Sequence, residues 1–266
     1  MSESQSTRIS GTKEWSVASA NCILGCSHRC RYCYAASNAI RRRQCPNYEA
    51  WGTTYLRVRQ GEVRKRRLKM DGRVMFPTTH DIMPQFLDEC IQVMQNILVA
   101  DNSLLVVSKP HLSCVERICT ALRMWRDRVL FRFSIGAMND SILSYWEPGA
   151  PLFEERFASL RHAHLEGYGT SVSMEPLLDA GNVIEIVDVL APHVTDSIWI
   201  GKMNQIGNRV ALGTSAKEIA RIKHGQSDDS VHSIYESLKS HRLIRWKESY
   251  KAVVGLALAQ QAGLDI

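Results

Sequence analysis

The 266-residue chain contains no apolar run of the length a membrane-spanning helix requires. Its first seven residues are polar and lack the apolar segment of a secretory leader. These absences set the expectation of a cytoplasmic protein with no membrane partner. In that compartment thiols stay reduced, so the eight cysteines are not read as a disulfide framework. No repeat, low-complexity tract or linker divides the chain, which favours one domain over residues 1–266. The sequence also has only one C-x2-C pair, Cys30 and Cys33, with no second knuckle downstream. Structural zinc sites usually pair two such knuckles, or one with a distant histidine pair. His28 lies inside the same loop, but adjacent ligands would crowd a tetrahedral ion.

Against these absences stands a dense group of thiols, Cys22, Cys26, Cys30 and Cys33. The last three form C-x3-C-x2-C, a spacing that suits three corners of one iron–sulfur cube. A full complement is four thiolates, so three leave one iron open to a substrate or cofactor. A closed cluster that also used Cys22 would serve electron transfer only. Cys22 precedes the loop in the apolar stretch Cys22-Ile-Leu-Gly and reads as core packing, the usual role of a buried cysteine. Cys90, Cys114 and Cys119 fall in helix-like apolar patterns and are expected to be structural. His28 is expected to face solvent.

The run Cys26-Ser-His-Arg-Cys30-Arg-Tyr32-Cys33, with an aromatic just before the last cysteine, resembles the cluster loop of radical S-adenosylmethionine enzymes. The resemblance implies a 4Fe–4S cluster on Cys26, Cys30 and Cys33. It also implies S-adenosylmethionine as the second cofactor, chelated at the open iron and cleaved to a 5′-deoxyadenosyl radical.

Short apolar strands alternate with helical patterns along the chain. Strands are expected near residues 15–20, 74–76, 104–107, 129–134, 170–174 and 197–200, and helices near 34–43, 84–100, 112–126, 152–166 and 182–191. This alternation indicates βαβ units and a parallel sheet. Six units suit an α/β fold of the partial (β/α)6 barrel type, which is also the barrel that the resemblance implies. The core is expected to span residues 14–205. Residues 206–266 form a C-terminal extension with helices at 228–238 and 251–262, and residues 243–246 are a short strand or an extended crossing.

Parallel α/β sheets place their sites at the carboxyl ends of the strands. There the sequence offers Thr78, Thr79, His80 and Asp81, then Ser108 and Lys109, then Ser134, Glu175, Gly201, Lys202 and Asn204. Ser134-Ile-Gly, followed by Glu147-Pro-Gly-Ala-Pro151 and Glu155-Arg156, resembles the spore photoproduct lyase-like branch of the family. The resemblance implies that Lys109 meets the S-adenosylmethionine carboxylate and Ser134 the ribose. Thr78 or Thr79 would meet the amino group, and Tyr32 the adenine. Glu175, Lys202 and Asn204 are the candidate catalytic residues. Glu147, Glu155 and Arg156 read as ion pairs at a helix start, where acids are favoured. One departure is plain: that branch keeps a hydrogen-donating cysteine near the end of the second strand, and this chain has Pro77-Thr78-Thr79-His80 there.

Charge is uneven. Residues 57–69 carry cations at 57, 59, 64–67 and 69 against the single acid Glu62, and Arg41, Arg42 and Arg43 form a second run. Such clusters are the footprint of a phosphate-backbone partner, or a solvated face. The expected function is therefore modification, rearrangement or repair of a nucleobase in nucleic acid or a nucleotide, a lyase- or isomerase-type reaction. A flavodoxin- or ferredoxin-type protein would donate the electron. The alternatives are radical chemistry on a peptide or small metabolite, or a non-catalytic iron–sulfur or zinc module that binds nucleic acid.

Overall fold

The structure, a computed structural model, describes residues 9–263. Its strands are β1 (Ala18–Ser19), β2 (Ile23–Leu24), β3 (Arg57–Val58), β4 (Arg73–Phe76), β5 (Ser103–Ser108), β6 (Val129–Ser134), β7 (Gly169–Met174), β8 (Ile198–Ile200) and β9 (Ile244–Trp246). Its helices are α1 (Tyr34–Arg41), α2 (Tyr48–Gly52), α3 (Gln60–Val63), α4 (Leu87–Val99), α5 (Leu112–Leu122), α6 (Asp140–Trp146), α7 (Phe153–Leu165), α8 (Val183–Leu190), α9 (Ile206–Arg209), α10 (Ala216–Gly225), α11 (Asp228–Leu238) and α12 (Glu248–Val254).

Seven strands form one parallel sheet in the order β1-β4-β5-β6-β7-β8-β9. Among the described residues no ladder joins β1 to β9, so the barrel is partial and open along one side. The six expected strands are all present. The seventh, β9, settles residues 243–246 as a strand, drawn from the segment read as extension. The antiparallel pair β2–β3 is too short to carry a sequence period, and neither it nor the helix α10 is among the expected elements.

Successive strand residues face opposite sides, and here both sides are buried. Val74, Leu104, Val106, Phe131, Phe133, Val172 and Ile198 pack outward under the helices. The helices meet them with buried stripes at helical spacing, such as Cys90, Val93, Met94, Ile97 and Leu98 on α4. Cys114 and Cys119 serve the same purpose on α5. Met75, Leu105, Leu130 and Trp199 point inward and pack with Trp15. Arg132 also points inward from β6, fully buried, 4.7 Å from the Trp15 ring and bonded through Nε to Ser171 Oγ at 2.9 Å. A charge inside a short strand gives no periodic signal, so the sequence pattern does not mark Arg132 out.

Candidate active site

One cavity of about 520 Å³ opens at the carboxyl ends of the strands. Its wall includes Cys26, Cys30, Cys33, Tyr32, Thr78, Thr79, Lys109, Ser134, Glu175, Lys202 and Asn204. The candidate cluster, cofactor and catalytic residues named from the sequence thus line the same space, as do His80, Asp81 and Ser108, while Gly201 does not. The reason is geometric: consecutive parallel strands bring the residue after each strand to one rim of the sheet.

The cysteine loop, residues 25–33, is gripped by backbone bonds from three sides. Cys26 N–H donates to Trp51 O at 3.2 Å, Arg31 N–H to Trp146 O at 2.9 Å, and Gly149 N–H to His28 O at 3.0 Å. A Cβ on Gly149 would lie 2.1 Å from Ser27 O, a backbone atom that cannot swing aside. The Glu147-Pro-Gly segment is therefore shaped to press against the loop. Gly149→Ala is expected to displace the loop, cost about 1–3 kcal/mol as overpacking does, and lower the iron bound after anaerobic reconstitution. Unchanged iron content and thermal midpoint would contradict that packing argument.

Cys26 and Cys30 are buried and Cys33 is half-buried. Burial pushes the Cys26 thiol up to about 12 and the Cys30 thiol well above its usual value. Cys33 is raised less, because as N-cap of α1 its sulfur accepts the Ala36 N–H at 3.4 Å, while burial still dominates. Burial outweighs the nearby Lys109 ammonium at Cys30 and Cys33, so the thiols stay protonated, whereas a bound metal would deprotonate them outright. The donor set therefore fits a cationic iron–sulfur cluster. Among the described residues no three His, Cys, Asp or Glu are grouped closely enough to hold a single ion. Cys22 is fully buried outside the cavity wall, its N–H donating to His80 Nε2 at 3.1 Å.

Beneath the loop lies a buried polar network that the sequence did not foretell. His28, expected at the surface, is 0% exposed, with Nδ1 3.2 Å from Asp81 Oδ2 and Nε2 3.3 Å from His111 Nε2. The loop must bury one side against β5 and α5, and His28 is the residue on that side. Asp81 also accepts the Ser108 hydroxyl, the Lys109 N–H at 3.0 Å and the Ile82 N–H at 2.8 Å. Burial alone would raise this carboxyl, but His28, Lys109 and the Ser108 hydroxyl outweigh it and hold it well below the carboxylate range. Lys109 shows the converse. Burial would lower its ammonium, yet Cys30, Glu147 and Asp81 beside it raise it, so it carries its charge into the cavity.

Glu147 corrects a second expectation. It follows α6 rather than starting α7, and it belongs to the site. Its carboxylate is 2.6 Å from Arg156 Nη2 and 3.9 Å from Lys109 Nζ, and it accepts the Tyr32 hydroxyl. Arg156 in turn donates to Pro151 O at 2.7 Å and to Ser134 O at 3.1 Å. Tyr32 and Lys109 are thereby held side by side, the ammonium 5.7 Å from the ring centre. Glu155 is separate: it accepts the Leu112 N–H at 3.1 Å at the start of α5 and lies 3.4 Å from His111 Nδ1.

On the opposite wall Asn21 Oδ1 accepts the N–H groups of Thr78 and Thr79 at 2.7 and 2.8 Å, and its Nδ2 donates to Thr78 Oγ1 at 2.8 Å. Tyr34 OH donates to Thr78 O at 2.6 Å. Both organising residues were missed, because only the fold brings residue 21 beside residue 78. Lys202 sits 3.3 Å from Asp228. Glu175 lies 3.4 Å from Lys247 Nζ; burial raises its carboxyl, partly offset by that ammonium. Ser10, Gly11, Thr12, Lys13, Trp15 and Arg209 complete the wall and were likewise unanticipated.

No protein-family model matches the chain. An uncharacterized protein, ORF301, of Acidianus two-tailed virus is 27% identical over 177 residues, 63% of this chain and 58% of its own length. The chain thus spans less than two thirds of that relative. Among solved structures, SuiB of Streptococcus suis superposes with a TM-score of 0.50 at 10% identity, over 91% of this chain and 52% of SuiB. A mutant spore photoproduct lyase with bound AdoMet and dinucleoside spore photoproduct aligns with a TM-score of 0.49 at 18% identity, over 76% of this chain and 58% of the lyase. At 10% identity the likeness to SuiB is one of fold. The partial parallel barrel shared with SuiB is the architecture that the cysteine loop's resemblance to radical S-adenosylmethionine enzymes implied.

Proposed function

We propose that the protein is a radical S-adenosylmethionine enzyme. The observation that carries this is the convergence of Cys26, Cys30 and Cys33 with Lys109, Ser134, Thr78 and Tyr32 on one cavity wall. Cys26, Cys30 and Cys33 would hold a 4Fe–4S cluster, which when bound supplies one-electron reduction at the sulfonium of S-adenosylmethionine. Lys109, kept charged by its acidic neighbours, offers an ammonium to the cofactor's carboxylate. Ser134 borders the space for the ribose, and Tyr32, its hydroxyl tied to Glu147, would lie beside the adenine. The Asn21-braced loop fixes the Thr78 carbonyl and hydroxyl and Thr79 for the amino group. Glu175, Lys202 and Asn204 face the remaining space and would contact the substrate. A flavodoxin- or ferredoxin-type donor would supply the electron.

For the substrate we propose a nucleobase in nucleic acid or a nucleotide. The support is the exposed set Arg42, Arg43, Arg64, Lys65 and Arg66. Other cations of the same runs have partners: Arg59 donates to Asn21 O at 2.6 Å, Arg67 lies 3.5 Å from Glu62, and the exposed Lys69 lies 3.0 Å from Asp101.

Anaerobically reconstituted, reduced protein is expected to convert S-adenosylmethionine to 5′-deoxyadenosine and methionine. A fully iron-loaded preparation without cleavage would favour a binding module instead. Nucleic-acid affinity is expected to fall linearly in log–log form with salt, with a slope of about −0.7 to −0.9 per phosphate neutralised. Salt-insensitive or absent binding would turn the substrate assignment toward a peptide or small metabolite.

A further inference from the structure

The open side of the barrel lies between β1 and β9, and the segment leading into β1 crosses it. Residues 10–13 line the cavity, while the 3₁₀ turn Gly11–Glu14 is bonded to the residues that follow β9. Lys247 Nζ donates to Gly11 O at 2.7 Å and pairs with the Glu14 carboxylate, and Glu248 N–H donates to Glu14 Oε1 at 3.1 Å. The same ammonium lies 3.4 Å from Glu175 Oε2, at the end of β7. Lys247 is fully buried and sits 4.1 Å from the centre of the Trp15 ring.

An ammonium has three N–H donors. Here the three nearest acceptors are Gly11 O and Glu14 from the N-terminal segment and Glu175 from the cavity rim; Glu248 follows at 3.9 Å. The reach from β9 to β7 passes over β8, where Gly201 stands. A Cβ on Gly201 would come 2.8 Å from Lys247 Cγ and 3.1 Å from Glu175 Cγ. The glycine thus opens the passage that lets the two side chains meet.

We infer that Lys247 is a positioning residue that aims Glu175 into the cavity and, through its other two donors, fastens residues 10–14 across the gap between β1 and β9. The cavity is then complete only with the N-terminal segment docked. The first part rests on the proposed reading of Glu175 as a substrate contact; the second does not.

The test uses the full chain and two measurements. In Lys247→Met, hydrogen exchange at the amides of residues 10–17 is expected to rise at least about tenfold, as for a segment opening locally, while β5 and β6 keep their protection. Glu14→Ala removes one partner with Lys247 in place and is expected to raise exchange over the same residues. Unchanged exchange in whichever variant folds overturns the clamp. The second measurement is infrared. Glu175 faces Lys247, Glu248 and Arg132, so removing the ammonium leaves a buried carboxyl beside another acid. Glu14 pairs with the same ammonium and burial already raises its carboxyl to about 8, so in a Glu14→Gln background, where that carboxyl is silent, adding Lys247→Met is expected to gain a protonated-carboxyl band at neutral pH that further substitution Glu175→Gln removes. A spectrum without that band overturns the positioning of Glu175. Neither measurement needs S-adenosylmethionine or turnover, so failure of the enzyme reading and failure of this inference give separate results.

Discussion

Replacing Cys30 by alanine is expected to abolish assembly of the iron–sulfur cluster, while Cys22→Ala leaves it largely intact. Cys30 is the central thiol of the loop, buried at the cavity wall beside Lys109. Losing it leaves two thiols, fewer than a cube needs to stay anchored. Substituting residues one layer behind a metal ligand already lowers affinity by about 10–100-fold; loss of a ligand is expected to lower iron content by more. Cys22 is equally buried but stands against His80 and Cys90. The Cys90 hydrogen bond and His80 lower its thiol to about 6 against the effect of burial, but it stands outside the cavity wall, so its substitution should appear in stability rather than in metal content. Iron and sulfide analysis of both variants after anaerobic reconstitution decides the matter. Equal loss from both would mean that a fourth thiolate caps the cluster, and the open iron on which the chemistry depends would be gone.

What the sequence disclosed and what it withheld divide along one physical line. Residues that follow the strands could be read from it, because the strand period itself says where each strand stops and parallel packing sends every stop to one edge. The strand ends place Thr78, Lys109, Ser134 and Glu175 at the cavity wall, and the spacing singles out the cysteines. Partners joined only by the fold carry no such signal. Asn21 braces a loop 57 residues away and Lys247 reaches Gly11 across 236. His28 looked like a surface residue because its immediate neighbours are Ser27 and Arg29, yet it is fully buried against Asp81 and His111. Glu147 was noticed but misplaced: an acid near Arg156 suggests a helix start, and only the turn at Gly149 shows that it points inward. The basic run 57–69 is part structure and part surface, a division that charge alone does not reveal.

Arg156→Met is the second large expectation. Exposed pairs such as Arg117–Asp88, 2.6 Å apart, are generally worth no more than about 1 kcal/mol. Arg156 and Glu147 are 0% and 3% exposed, and removing one member of such a pair typically costs about 3–5 kcal/mol, because the other charge is left buried. Lys109, at 3.9 Å, is a weaker substitute partner. Adding Glu147→Gln to Arg156→Met should therefore recover much of the loss, since no orphaned carboxylate remains. The pH dependence gives the sign. Burial would raise the Glu147 carboxyl, but Arg156, Lys109 and Tyr32 hold it below its ordinary value. Its contribution is then present above the unfolded carboxyl's value of about 4.3 and fades as pH falls through the lower native value. Without Arg156 burial prevails and the native value rises. The variant then loses stability as pH climbs through that raised value and is least impaired in acid. Urea midpoints for wild type, Arg156→Met and the double variant at pH 4 and pH 7 should show the gap between wild type and single variant widening at pH 7. A gap that is constant with pH, or a double variant no better than the single, would mean that the cost of losing Arg156 comes from packing and from its bonds to Pro151 and Ser134 rather than from an uncompensated charge.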